Sequence, residues 1–234
     1  MNTHRSPRGG RFFISILGSL MALATAPLLS EDIPTGTLNV DRNMVRTGVN
    51  SQLNWNIQYP SGVTEIIDIV PPSTIVPKKN VRMKVRVLGV AFQSGRNLLP
   101  LDAYWSKNNS AWQRFFYDTG NNVNPGRVLI NQKVEKNDRI DFGARGWSGG
   151  WLPFHHTRKT DPYLIVLKNG DRAPDYAPAY NQGSVTSFLR PYIDSSGRIS
   201  IGDRDLIILW EASTAKPGTT YFDMQDLVVL LTFE

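Results

Sequence analysis

The chain is 234 residues long, with 26 basic and 20 acidic residues, a formal net charge of +6 and no cysteine. The absence of cysteine excludes a disulfide framework, a lipidated cysteine anchor, thiolate metal sites and thiol nucleophiles, so stability has to come from buried apolar surface. Hydrophobic residues make up 41% of the chain, enough for a sizeable core.

Residues 1–24 are read as a secretory signal. Arg5, Arg8 and Arg11 precede an apolar stretch over 12–29, and Ala22-Leu23-Ala24 offers the small-x-small pattern that a signal peptidase reads. The competing reading is an uncleaved leader, because the apolar stretch just reaches spanning length; no other route to a membrane is expected. Cleavage removes three arginines and no acid, so 23 basic and 20 acidic residues leave a charge of +3. That residue of charge, densest at Lys78-Lys79-Asn80-Val81-Arg82, lacks the clustered footprint of a nucleic-acid binder. An exported location is expected: periplasmic, cell surface or extracellular.

Residues 25–37, with Pro34 and Gly36, read as an extended arm before a single domain over 38–234. A first short strand is expected around Leu38 and Val40. Over 52–59, Leu53, Trp55, Ile57 and Tyr59 alternate with Gln52, Asn54, Asn56 and Gln58, which predicts a half-buried strand with an amide face. Val45-Arg46-Thr47-Gly48 leading to Leu53-Asn54-Trp55 resembles the A-to-B strand region of bacterial Ig-like β-sandwich domains of exported proteins. The resemblance is local, implies a sandwich fold and carries no functional residue.

A strand is expected over 63–70, ended by Pro71-Pro72. Another spans 80–93, with Val81, Met83, Val85 and Val87 facing one way and Arg82, Lys84 and Arg86 the other, as on a solvated face that discourages edge pairing. Its alternation slips at Leu88-Gly89, which predicts a bulge. Runs 101–106 and 112–117 read as one hairpin, and 127–134 with 139–145 as a second around Glu135-Lys136-Asn137-Asp138. The stretch 143–183 reads as a long loop region with a strand at 163–168. Ser184, Val185, Phe188, Leu189 and Tyr192 have the spacing of one short helix, shortened by Pro191. A turn at Asp194-Ser195-Ser196-Gly197 then leads back to two near-continuous apolar runs, 205–211 and 226–233, which predict a central strand pair buried on both faces. The fold expected is all-β: a two-layer β-sandwich, Ig-like or jelly-roll-like, of about eleven strands and one short helix.

Four constellations bear on chemistry. Gly146-Trp147-Ser148-Gly149-Gly150 has the G-x-S-x-G form of a nucleophile elbow, yet Gly-Gly-Trp-Leu-Pro after the serine does not start a helix and no βαβ alternation surrounds it. Asp118-Thr119-Gly120 has the form of an aspartic protease signature but reads as a hairpin turn. Asp203, Asp205, Asp223 and Asp226 flank the ends of the terminal strand pair, and their convergence would supply oxygen ligands for calcium, the one cofactor considered. Trp147, Trp151, Tyr176 and Tyr180, with His155 and Asp161, supply flat aromatic faces and planar polar groups of the kind that bind sugar rings.

These features lead to a non-catalytic exported structural or adhesive cell-surface protein that self-assembles or joins a surface partner by strand addition. The alternative is a carbohydrate-binding module using the loop aromatics. A serine hydrolase centred on Ser148 comes third.

Overall fold

The computed structural model describes residues 35–40, 53–58, 62–174, 188–219 and 221–234. The signal sequence, residues 25–34 of the arm and Val45 to Gly48 lie outside them.

Strands β1 (Thr35–Val40) and β2 (Leu53–Gln58) pair antiparallel, with Leu38 opposite Trp55 and Gly36 opposite Ile57. The alternating run thus forms a strand, but not a half-buried one: Trp55 is 67% and Ile57 49% exposed. The pair is a two-stranded sheet of its own, and among the described residues nothing covers its apolar side chains.

The strand expected at 63–70 begins instead as one helical turn, α1 (Val63–Ile66), before β3 (Ile67–Val70). Val63 and Ile66 are buried while Thr64 and Glu65 are exposed, a three-residue spacing hidden in a run short enough to pass for a strand. After β4 (Thr74–Pro77), β5 (Val81–Gly89) shows the predicted alternation of buried and half-buried residues. A small hairpin, β6 (Gln93–Ser94) and β7 (Asn97–Leu98), precedes β8 (Leu101–Lys107) and β9 (Gln113–Asp118), which pair as the sequence predicts.

Then follow β10 (Ile130–Val134), β11 (Ile140–Gly146), β12 (His155–His156), β13 (Leu164–Lys168), β14 (Asp205–Trp210) and β15 (Leu227–Phe233). The excess over about eleven expected strands comes from two- to four-residue pieces too short to leave a periodic signal. Of the helix expected at 184–192, residues 184–187 lie outside the described residues. Its far end is a single 3-10 turn, Arg190–Tyr192, with Pro191 in its first turn.

Two large antiparallel sheets, neither closed, are built from these strands. One has the order β10-β5-β15-β14-β13; the other has the order β3-β4-β11-β8-β9, with β12 added beside β11. Strand β14 pairs with β15 along its whole length, from Asp205 opposite Thr232 to Trp210 opposite Leu227. Their runs lack polar alternation because both faces are covered. Leu206, Ile208, Trp210, Val229, Leu231 and Phe233 share a core with Ile75, Leu101, Ile140 and Phe142 of the other sheet. On the far face, Ile207, Leu209, Val228 and Leu230 pack with Leu189, Ile199, Phe222 and Met224. The β15–β5 ladder shifts register between Val228 and Val229, leaving Leu88 as the extra residue at the predicted bulge.

Two expectations about pairing are corrected. Strands β10 and β11 do not form a hairpin: β10 pairs β5 while β11 pairs β8, so the turn at 135–138 carries the chain from one sheet to the other. The corner is tied down by Asn137 N–H donating to the Pro77 carbonyl at 2.8 Å and Lys136 N–H donating to Asn80 Oδ1 at 2.9 Å. The basic strand β5 is interior to its sheet rather than at an edge, with Arg82 donating to Asn131 Oδ1 and Lys84 paired with Glu234.

Candidate functional site

The six-stranded sheet turns one face to the shared core and the other outward. Leu101 and Ala103 of β8 and Ile140, Phe142 and Ala144 of β11 point into the core. By the two-residue period, Asp102, Tyr104 and Ser106 and their neighbours on β11 share the opposite face. Register places them in three rows: Tyr117, Asp102 and Arg145; Arg114, Tyr104, Gly143 and His156; then Ser106 and Asp141.

Asp102 is fully buried and organises the first two rows. It accepts a hydrogen bond from the Tyr104 hydroxyl at 2.6 Å and lies 3.6 Å from the Arg145 guanidinium. Arg114 Nε approaches Asp102 Oδ1 to 2.7 Å outside hydrogen-bond geometry, so that contact is one of charge, while Arg114 Nη2 donates to Oδ2 at 3.3 Å. Tyr104 and then Asp102 hold the Arg114 guanidinium still more firmly in its charged form. Two cations thus flank one carboxylate, leaving the first two rows together net positive.

Aromatic rings lie over this frame. A tight turn with Gly149 at φ 70 brings Trp147 opposite Trp151 in an isolated bridge, and their rings meet edge to face at 5.0 Å. The Arg145 guanidinium sits 4.2 Å from the Trp151 ring centroid, and the Tyr117 ring lies 6.2 Å from that of Trp151. Trp147, Trp151 and Tyr117 are 37%, 40% and 50% exposed. Further along the face, Phe154 contacts Tyr104 and Trp112, and Arg158 stacks 4.3 Å over Trp112. Only a glycine fits beneath Phe154, since a Cβ at Gly143 would come within 2.4 Å of the ring. Buried Asp141 anchors this end, accepting from Thr74, Thr157 and Arg158 at 2.7 to 2.9 Å. Burial, and then Lys159 and Arg158, push the His156 imidazole below its ordinary pKa.

The residues expected to bind a ligand therefore divide. Trp147 and Trp151 stand on the outer face. His155, one residue from His156, points the other way as strand alternation requires: it is 6% exposed, its Nδ1 lies 2.8 Å from Asp161 Oδ2, and its ring stacks on Tyr163 at 4.5 Å. His155 and Asp161 form a buried pair apart from the tryptophans. Tyr176 and Tyr180 lie outside the described residues. Tyr117, Arg114, Asp102 and Tyr104 belong to the face without having been singled out in sequence; the signal for Asp102 and Tyr104 was the alternation of β8 against its core residues, and Tyr117 and Arg114 join them through the β8–β9 register.

Ser148 occupies the turn between Trp147 and Trp151, its N–H donating to the Gly150 carbonyl at 3.0 Å, and the next strand is β12 rather than a helix. The four aspartates do not converge. Asp203 and Asp205 lie at one end of β14 and Asp223 and Asp226 at the other, about 20 Å away at the rise of an extended strand. Their oxygens accept from the protein itself: Asp203 from Asn169, Asp205 from Thr232, Asp223 from Gln225 N–H, and Asp226 from Ala212 and Ser213 N–H. Among the described residues no group of three or more His, Asp or Glu is placed to hold a metal ion. Burial, and then the charge of Glu211, raise the Asp226 carboxyl well above its ordinary pKa.

Comparison of the chain with protein-family models, with curated proteins and with solved structures finds no match.

Proposed function

We propose that the protein is an exported, non-catalytic carbohydrate binder with a two-layer β-sandwich fold, which takes sugar rings on the outer face of its six-stranded sheet. The observation that carries this reading is the cluster of Trp147, Trp151 and Tyr117, exposed together and braced by Arg145. Exposed rings lose little on binding because they are already held, and flat apolar faces beside the partly exposed Arg145 guanidinium match the two-sided chemistry of a pyranose. The sandwich reading is supported by the core that draws on both large sheets and by the crossing at 135–138; its connection is Ig-like or jelly-roll-like. Export is supported by the leader pattern.

A glycan array tests the reading. Trp147→Ala and Trp151→Ala each abolish or strongly weaken binding while lowering stability by about 0.5–1.5 kcal/mol, the worth of the aromatic pair they break. A protein that binds no glycan, or whose binding ignores both substitutions, rules it out.

A structural or adhesive role with self-assembly is the second reading, favoured by the exposed Leu38, Trp55 and Ile57 on one face of the β1–β2 sheet. Light scattering on the mature chain distinguishes it: assembly that disappears in Trp55→Ser supports it, and a strict monomer counts against it.

A further inference from the structure

The aromatic cluster lies beside β9, the edge strand of its sheet. Where that strand runs into the loop after it, a cleft of about 190 Å³ opens, lined by Tyr117, Asp118, Asn122, Asn124 and Arg127 over an apolar floor that includes Val123. Tyr117 belongs to both places: its ring flanks Trp151 and it lines the cleft.

The polar groups of the cleft are partly held and partly free. Asp118 Oδ1 accepts from Thr119 N–H at 2.8 Å and from Asn122 Nδ2 at 2.6 Å, and Asn124 Oδ1 accepts from Gly126 N–H at 3.1 Å. Those bonds fix three side chains in place. Among the described residues, Asp118 Oδ2, Asn122 Oδ1, Asn124 Nδ2 and the Arg127 guanidinium have no hydrogen-bond partner. Two acceptors and two donors therefore stand ready in one small space.

We propose that the Trp147–Trp151–Tyr117 surface and this cleft form one continuous site for a neutral oligosaccharide, with a terminal sugar ring seated in the cleft and the next rings lying over Tyr117 and Trp151. The inference rests on the carbohydrate reading above and adds the class and length of the chain. The cleft is smaller than the roughly 300 Å³ at which pockets begin to hold drug-sized ligands, so it takes one ring and not a whole chain. A hydroxyl both donates and accepts, so vicinal hydroxyls satisfy Asp118 and Arg127 together. A uronate ring keeps its ring hydroxyls but has a carboxylate, which only accepts, where a neutral hexose has its C6 hydroxyl; it matches Arg127 and opposes Asp118, whereas a neutral ring satisfies both. Tyr117, common to both parts, is the platform over which the chain turns the sheet edge.

The test measures binding to cello-, xylo-, manno- and chito-oligosaccharides of one to six rings, and to galacturonate oligomers of the same lengths. The expected result is a neutral chain whose affinity rises at least tenfold between one and about three rings and then levels off. Asp118→Asn and Arg127→Met lower the affinity for the longer chains at least tenfold and flatten that rise, with unchanged melting midpoints. Asparagine retains the acceptor that Thr119 and Asn122 use, and Arg127 has no partner to lose, so neither substitution threatens the fold. Binding that is lost in Trp151→Ala but indifferent to Asp118→Asn and Arg127→Met overturns the continuous site and leaves the carbohydrate reading intact. A preference for galacturonate overturns the neutral class. Failure to bind any of these chains overturns the continuous site, and the glycan array then decides the carbohydrate reading.

Discussion

At the scale of single residues, the molecule keeps its charge on short tethers. Asp102 is buried between two arginines that reach solvent, so removing it leaves guanidinium groups partly desolvated with nothing to balance them. Breaking a buried pair from one side costs about 3 kcal/mol or more, reduced here because Arg114 is half exposed. Asp102→Ala is expected to lose roughly 2 kcal/mol in urea unfolding, and to weaken any ligand bound at Trp151 by freeing Arg145 from its position. Asp226 makes a pH-dependent prediction. Its carboxyl titrates above the ordinary value of 3.8 in the folded chain, because of burial first and Glu211 second. A raised folded value means stability that is fully present below 3.8 and declines as pH rises through the folded pKa. Asp226→Asn keeps the acceptor for Ala212 and Ser213 and offers an N–H toward Glu211. Thermal melts from pH 4 to pH 9 should therefore show a falling midpoint in the native protein and a flatter one in Asp226→Asn, with the variant the more stable at the alkaline end. Asp138 and Asp194 act in the opposite sense. Burial alone would raise Asp138, but Glu135 N–H, the Asn108 amide and Lys107 outweigh it, and Arg198 N–H with the Ser196 hydroxyl lower Asp194. Both lose their contribution as pH falls through their depressed values, so stability should pass through a maximum in the acid range.

At the scale of elements, the outer face depends on how closely the loop after β11 can approach it. Gly143 is the point of contact: an added methyl group meets the Phe154 ring within 2.4 Å and His156 Cβ within 2.9 Å. Gly143→Ala is expected to push Phe154 away from Tyr104 and Trp112 and to cost about 1–3 kcal/mol, the range for overpacking a filled site. The check is a change in tryptophan emission from Trp112 accompanying the lower urea midpoint, and unchanged emission sinks the account. The elements were legible in unequal measure. β8 and β9 were readable as a hairpin because a polar turn joins two alternating runs that do pair. β10 and β11 offered the same grammar, yet they belong to different sheets. Alternation reports which side chains are buried and is silent on which neighbour supplies the hydrogen bonds. At α1, the pair Val63 and Ile66 satisfied a strand reading and a helical one equally, and four residues are too few for period to decide.

At the scale of the whole molecule, the two large sheets are joined through one apolar core to which β14 and β15 contribute most of the unbroken run. Truncating that core is expected to be severe. Trp210 is 1% exposed, with its indole N–H donating to the His155 carbonyl at 3.3 Å, so Trp210→Ala should lose about 3–5 kcal/mol and leave that carbonyl without its donor. Among the described residues, none of the β1–β2 sheet belongs to this core. Trp55→Ser should leave the melting midpoint of the main body unchanged, and a large fall would mean that Trp55 is covered in the folded protein.

The amino-acid sequence alone determined the all-β character, the bulge at Leu88 and the burial of the terminal strands on both faces, because each follows from the period and polarity of residues adjacent in the chain. It also pointed to Trp147 and Trp151 as candidate ligand-binding aromatics, without deciding whether they are exposed. Only the tertiary structure decided that Tyr117, Arg114 and Asp102 stand beside them while His155 and Asp161 turn inward. Strand register sets which distant residues share a face, and a shift of one position reverses it, so the composition of a sheet surface is a property of pairing that no single segment carries.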